Sequence, residues 1–343
     1  MAFTFPSSPS IGDEYVAPSG VVYFFDGTWS STGESISPNP FDNRYLYRTI
    51  YTKGYMTGGY KSGSPWRNVN KTIHATDLTT NLGDVMTRVA SYIGGGWSDY
   101  NTYMYPSGGA HNGKSTVVES MNMTTEVARA LDSNMYLKTN RGDAEGLLTP
   151  SLTAAYIAGG GTTAVDKHNF VTDVMFAAGT APACPLNGGT NGGLGALFGE
   201  FKAWVSEGAG SSMDWATETW ATGGMAWATA GQPKGLSSKH GHGYGSQGSY
   251  DGHVNVYKFN DTTGSNLTTI VRAKKSGEEN WQVGQNWGYQ LGAYDGAAQT
   301  NDAAKIGYIT DTLTVMGSDT QPKGHAGSSS GTCASGASVL VGN

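Results

Sequence analysis

One stretch recurs along this chain and limits what it can fold into. Lys71-Thr-Ile-His-Ala-Thr-Asp77-Leu-Thr-Thr-Asn81 is a short strand-like run with an acid and threonines at a turn. Related runs follow around Asn122 (residues 117–126), Asp173 (169–179), Glu218 (213–223), Asp261 (255–264) and Asp311 (305–318). The anchors stand 45, 51, 45, 43 and 50 residues apart. A period in the forties is the sequence form of a propeller or other array of small sheets. A unit of that length cannot bury its own faces and must stack on its neighbours.

A second element accompanies the first. Aromatic or apolar runs ending in glycine occur at Tyr55-Met-Thr-Gly-Gly59, Tyr92-Ile-Gly-Gly-Gly96 and Tyr156-Ile-Ala-Gly-Gly160, with more distant echoes at 204–208, 243–248 and 289–294. Each precedes a polar loop and then the acid-threonine strand. Residues 45–51 and 54–60 read as a hairpin. Residues 81–92 and 194–204, the nearest approaches to a helical stripe, fit strands in the repeat register. Gln232-Pro-Lys-Gly235 reappears as Gln321-Pro-Lys-Gly324. The expected unit is three or four short strands.

Six acid-threonine strands give six units. The preceding hairpin-type unit occurs seven times if 323–341 is included, and Val21-Val-Tyr-Phe-Phe-Asp-Gly-Thr-Trp29 would then supply an outer strand of that last blade. The expected fold class is therefore all-β: a β-propeller of six, or seven, blades over residues 44–343, behind a small N-terminal β module and linker over residues 1–43. In that module Val21–Phe25 reads as a strand, Asp26-Gly27 as a tight turn and 30–43 as a linker or long loop.

Composition narrows the function classes. Glycine is 51 of 343 residues, clustered at the ends of apolar runs rather than in triplets, which suits strand ends and turns. Charged residues are 14% and the net charge is −6 without like-charge blocks, so no basic face for nucleic acid is expected. No apolar run is long enough to span a bilayer, and residues 1–6 lack the basic start and apolar core of a secretory signal. Release with a virus particle is one route out of a cell that needs no such signal. Cys184 and Cys333 are not spaced as a metal pair, and a disulfide between them is not the expected state.

The aromatic-apolar run ending in Gly-Gly, the polar loop and the acid-threonine strand together resemble the kelch family of β-propellers over roughly residues 45–341. The chain also resembles virion structural proteins of tailed phages that infect cyanobacteria. The stretches carrying that resemblance run over 58–77, 231–241, 277–288 and 316–325, with the N-terminal Phe5-Pro-Ser-Ser-Pro9 and Tyr23-Phe-Phe-Asp-Gly-Thr-Trp29. It implies a fibre-like particle component and no catalytic residues.

Candidate chemistry was weighed residue by residue. His240 and His242, with His253, are a candidate metal set, the first two having the two-apart spacing that aims side chains to one side of a strand, but no acidic or cysteine partner stands at a ligand spacing. Asp77, Asp173, Asp261 and Asp311 read as turn-capping residues, because a device repeated in every unit belongs to the fold and a catalytic pair is unique. Asp26-Gly-Thr-Trp29 matches part of a sialidase-type turn, and the arginines are scattered. Arg141-Gly-Asp143 and the Asn-X-Thr sequences at Asn70, Asn122, Asn260 and Asn266 read as chance and as strand and turn chemistry.

The aromatics Trp66, Trp97, Tyr100, Tyr103, Tyr105, Trp281 and Trp287 sit in or beside expected loops, where ring faces stack on sugars or anchor interfaces. Trp66, Trp97, Tyr100, Tyr103, Trp281 and Trp287 are the expected binding residues, with no catalytic residue, metal or cofactor. The expected protein is non-enzymatic: a homo-oligomeric virion component, assembled in the host cytoplasm. Residues 1–43 would contact other virion proteins and the propeller a host surface glycan or receptor. The alternatives are a capsid or neck decoration without a host ligand, and a glycan-cleaving propeller enzyme.

Overall fold

The computed structural model describes residues 14–16, 21–25, 29–35, 50–57, 60–61, 64–65, 67–88, 91–99, 102–110, 115–140, 144–148, 154–159, 162–180, 195–198, 202–207, 209–223, 234–237, 242–246, 253–260, 263–276, 280–283, 287–294, 299–316 and 333–337. Among these residues the chain is all-β, with one 3-10 turn at Ser133–Met135. It divides into two compact units, Met1–Asp42 and Asn43–Asn343.

The first unit is a three-stranded antiparallel sheet of β1 (Glu14–Val16), β2 (Val21–Phe25) and β3 (Trp29–Ser35), in that order. Val21–Phe25 is the expected strand. Residues 30–35 are not linker but part of a third strand, which pairs with β2 from Phe25↔Trp29 to Val21↔Ser35. The Asp26-Gly27 turn lies outside the described residues.

The second unit contains six four-stranded antiparallel meanders. Sheet A comprises β29 (Cys333–Ala337), β4 (Ile50–Thr57), β7 (Asn68–Ile73) and β8 (Leu78–Asp84). Sheet B comprises β9 (Ser91–Ser98), β10 (Tyr103–Ala110), β11 (Glu119–Asn122) and β12 (Val127–Ala130). Sheet C is β13 (Ala144–Leu148), β14 (Ala154–Gly159), β15 (Ala164–Asn169) and β16 (Val174–Thr180). Sheet D is β17 (Gly195–Phe198), β18 (Lys202–Glu207), β19 (Ala209–Asp214) and β20 (Thr219–Thr222). Sheet E is β21 (Lys234–Ser237), β22 (His242–Ser246), β23 (His253–Asn260) and β24 (Asn266–Ser276). Sheet F is β25 (Asn280–Val283), β26 (Trp287–Tyr294), β27 (Gln299–Gly307) and β28 (Leu313–Met316). A small ribbon, β5 (Tyr60–Lys61) with β6 (Ser64–Pro65), lies between β4 and β7.

The first strands touch in succession: β9 meets β13, β13 meets β17, β17 meets β21, β21 meets β25, β25 meets β4 and β29, and β29 meets β9. The succession of sheets therefore closes on itself. Three expectations are corrected here. Residues 45–60 do not form a hairpin, since β4 runs unbroken through Gly54 with partners on both sides. Val21–Trp29 does not complete a blade with the chain's end. The chain's end instead adds β29 to sheet A as its first strand, which pairs with β4 from Cys333↔Tyr55 to Ala337↔Ile50. The Tyr92-Gly96 echo lies on a first strand, while Tyr55, Tyr156, Trp204, Tyr244 and Tyr289 lie on second strands; Tyr105 on β10 is its true counterpart.

Third and fourth strands are joined by four-residue turns at 74–77, 123–126, 170–173 and 215–218, closed by pairs such as Asn122↔Val127 and Asp214↔Thr219. Each ends in the left-handed region: Asp77 (φ 56°), Glu126 (58°), Asp173 (53°), Glu218 (53°), Gly264 (70°) and Asp311 (54°). Residues at these positions follow one another every 45 to 49, a tighter spacing than the anchors read from sequence. Asn122 was misplaced by four residues because its amide also belongs to the turn, at its opening position. Asp261 lies outside the described residues, and Gly264 holds the position in its unit.

Candidate functional site

A left-handed backbone costs a residue with a Cβ about 1–2 kcal/mol, and glycine is its ordinary occupant. Five of the six turns nonetheless carry an acid there. The turn's own backbone is served by other residues. Asn122 Oδ1 accepts from Thr124 and Thr125 N–H at 2.9 Å, and Asn169 Oδ1 from Val171 and Thr172 at 2.9 and 3.1 Å. Asp214 and Asn260 do the same in sheets D and E. Asp77, Glu126, Glu218 and Asp311 reach instead to the preceding sheet and Asp173 to a histidine of its own sheet, which corrects the reading of Asp77, Asp173 and Asp311 as caps.

Four junctions share one construction. A tyrosine on the second strand and a lysine on the third stand directly opposite each other: Tyr55↔Lys71, Tyr156↔Lys167, Tyr244↔Lys258 and Tyr289↔Lys305. Both meet the acid of the next sheet. Lys71 Nζ donates to Glu126 at 2.7 Å and Lys167 Nζ to Glu218 at 2.6 Å. Lys258 Nζ donates to both oxygens of Asp311 at 2.9 Å, and Lys305 Nζ to Asp77. Tyr55 OH donates to Glu126 at 3.2 Å, Tyr244 OH to Asp311 at 2.5 Å and Tyr289 OH to Asp77 at 3.0 Å. The same hydroxyls touch the carbonyl three residues before each acid: Met123, Tyr308 and His74. The clasps of Tyr55, Tyr244 and Tyr289 thus hold both backbone and side chain of a neighbouring turn.

The electrostatics follow from this geometry. At Glu218 and Asp311 partial burial pushes the carboxyl up, but the lysine and tyrosine bonds prevail and the net shift is downward. Burial, with the adjacent carboxylate, drives the hydroxyls of Tyr55, Tyr156, Tyr244 and Tyr289 far above the ordinary phenol range. None of them is a proton donor or base near neutrality.

Two junctions differ. Between B and C, Ser120 replaces the lysine, and Asp173 bonds His168 of its own sheet at 3.0 Å. Trp97 Nε1–H donates to His168 Nδ1 at 3.0 Å, so the imidazole hydrogen sits on Nε2 and points at Asp173. Burial lowers the His168 pKa against the raising effect of Asp173. Between D and E, Ser212 and Gly264 replace lysine and acid together. Trp204 replaces the tyrosine and packs on Tyr257 and Phe259.

The expected binding aromatics do not assemble. Trp97 is 1% exposed and lies in the core shared by sheets B and C with Tyr105, Ile157 and Met175. Tyr103 packs against the same cluster under Arg129, and Trp287 packs against Met56 and Tyr289 under Lys305. Trp281 is on strand β25. Trp97, Tyr103 and Trp287 lie against buried clusters instead of in loops, because an aromatic beside a turn serves equally well between two sheets. Trp66 and Tyr100 lie outside the described residues.

His242 is buried and bonds Tyr244 OH at 3.0 Å; His253 is on β23, and His240 lies outside the described residues. No group of three metal-ligating side chains occurs among the described residues. Asn70 is fully buried within β7. Cys184 and the Arg141-Gly-Asp143 sequence also lie outside the described residues.

Sequence reasoning found the acids but missed their partners. The signal was present: a lysine stands six residues before the turn position in four of six units, and where Gly264 takes the acid's place the preceding unit has Ser212 in place of the lysine.

Comparison with known proteins adds fold and nothing further. No protein-family profile matches the chain, and no curated protein does. Solved structures do match. One, titled "Structure of YjhT", superimposes with a TM-score of 0.57 at 11% identity, covering 78% of this chain and 98% of the other.

Proposed function

We propose that residues 43–343 form a six-bladed β-propeller, and that the chain is a non-enzymatic structural protein of a phage particle, a fibre or appendage component. The six closed meanders support the blade count, with β29 as the strand by which the chain's end completes its first blade. One observation carries the non-catalytic reading. The recurrent carboxylates, which a reaction centre would need free, are each engaged by lysine, tyrosine or histidine as joints of the fold. The virion assignment rests on the resemblance of stretches 58–77, 231–241, 277–288 and 316–325 to structural proteins of cyanobacterial phages.

In this reading the N-terminal sheet attaches to the particle and the propeller presents its loops to a host surface glycan or protein, with copy number raising avidity. The test is labelling of the chain in intact particles, paired with a glycan array on purified protein. Location at an appendage tip with glycan binding supports the proposal. Location on capsid or neck without binding moves it to a decoration role, and turnover of an array glycan overturns it. Deleting residues 1–42 should leave a folded second unit that no longer enters particles.

A further inference from the structure

The six junctions are not alike. First strands run side by side more extensively at β9–β13 and at β17–β21 than between any other pair of sheets. These are the two junctions without a lysine–acid clasp. Both rest on apolar clusters, Trp97, Tyr105, Ala155, Ile157 and Met175 between B and C, and Trp204, Tyr257 and Phe259 between D and E, whereas the clasped junctions A–B, E–F and F–A add an ion pair to theirs. Among the described residues, the most extensive approach of first strands therefore falls at the junctions that have no clasp.

The junction between C and D lies at the centre of this contrast. Its first strands, β13 and β17, meet over less of their length than those of the B–C and D–E junctions on either side of it. Its outer link is Lys167–Glu218, and the Glu218 side chain is 52% exposed, the highest value among the four clasp acids. A pair so exposed is screened by salt and contributes about 1 kcal/mol or less. A flat apolar junction does not weaken with salt.

We propose that sheets B–C and D–E are two rigid blocks and that the cycle parts between them, at the Lys167–Glu218 junction. The sheets flanking that junction would separate by local opening, well below the free energy of global unfolding. The inference stands on the cycle of sheets and not on the virion reading.

Strand β14 provides the probes, because its alternate residues face opposite junctions. Tyr156 contacts Trp215 of sheet D, and its face carries the buried Ala154 and Ala158. Ala155, equally buried, faces sheet B. Single cysteines Ala158→Cys and Ala155→Cys are placed in the full chain with both native cysteines changed to serine, and thiol labelling is timed under native conditions. Residue 158 should label roughly tenfold faster than residue 155. Lys167→Met, or salt raised from 0.1 to 1 M, should speed residue 158 about fivefold and leave residue 155 unchanged. Ala154→Cys gives the same readout should Ala158→Cys fail to fold. Equal rates at the two faces, or a residue 158 rate indifferent to both salt and Lys167→Met, overturns the proposal.

Discussion

The ammonium of Lys305 donates to the carboxylate of Asp77, 228 residues earlier in the chain, and so ties the sixth sheet of the second unit to the first. Tyr289, opposite Lys305 on the adjacent strand, donates to the same acid at 3.0 Å and to the His74 carbonyl at 3.1 Å. The closing junction is thus held twice, by this clasp and by the pairing of β29 with β4.

Asp77 combines a strained backbone with a partly buried ion pair, and substitutions separate the two. Asp77→Gly loses the clasp but relieves the φ of 56°, whereas Asp77→Ala loses the clasp and keeps the strain. Both should destabilise, Asp77→Ala by about 2–3 kcal/mol and Asp77→Gly by about 1 kcal/mol less. Urea unfolding of the two variants measures the difference. Equal midpoints would show that the left-handed position is not strained.

Acid should weaken the clasps. Glu218 and Asp311 have folded-state pKa values below those of an unfolded chain, so the unfolded chain takes up protons first as pH falls. Their contribution is complete above the ordinary carboxylate range, near pH 4, and is lost as pH drops through it. The melting temperature should fall between about pH 5 and pH 3, and Glu218→Gln should flatten that decline. A decline identical in both chains would remove Glu218 from the account.

Alkali acts through the opposite partners. The clasp tyrosines and Tyr105 have raised pKa values, so above about pH 10 the unfolded chain releases protons that the folded one retains, and stability falls as pH rises. Of 19 tyrosines, these five should stay protonated at about pH 11 and ionise only on unfolding, visible as a late step in tyrosinate absorbance. A single smooth titration of all tyrosines in the folded protein contradicts this.

His168 should be neutral and protonated at Nε2 at neutral pH, because Trp97 occupies Nδ1 and burial disfavours the cation. Nitrogen chemical shifts of the labelled ring test the tautomer directly. His168→Leu leaves the Trp97 N–H without its acceptor and should cost about 1–3 kcal/mol. As its folded pKa is lowered, protonation of His168 favours the unfolded chain, and stability drops as pH falls below about 6.5.

The junction lacking both charges can be given them. Ser212→Lys with Gly264→Asp should restore a clasp between D and E, with a favourable coupling of about 0.5–1 kcal/mol in a double-mutant cycle, although Gly264→Asp alone destabilises. Zero coupling would mean that Trp204 cannot stand in for the clasp tyrosine.

The repeat, the strand character and the importance of the turn acids were legible in residue order, because a period in the forties and an acid after threonine are local facts. Register within the repeat was only partly legible. Asn122 and Glu126 both suit a turn, and only the φ of Glu126 separates the opening residue from the closing one. Tyr92 and Tyr105 both precede strand-like glycines, and only pairing places one on a first strand and the other on a second.

Sequence by itself determined an all-β chain of stacked small sheets behind an N-terminal β segment, since those follow from period and turn chemistry. Tertiary structure decided which strand closes the cycle, that the turn acids join sheets rather than cap loops, and that Trp97 is core. Each depends on what a side chain meets roughly 50 residues or more away, and a strand pattern leaves that partner unspecified.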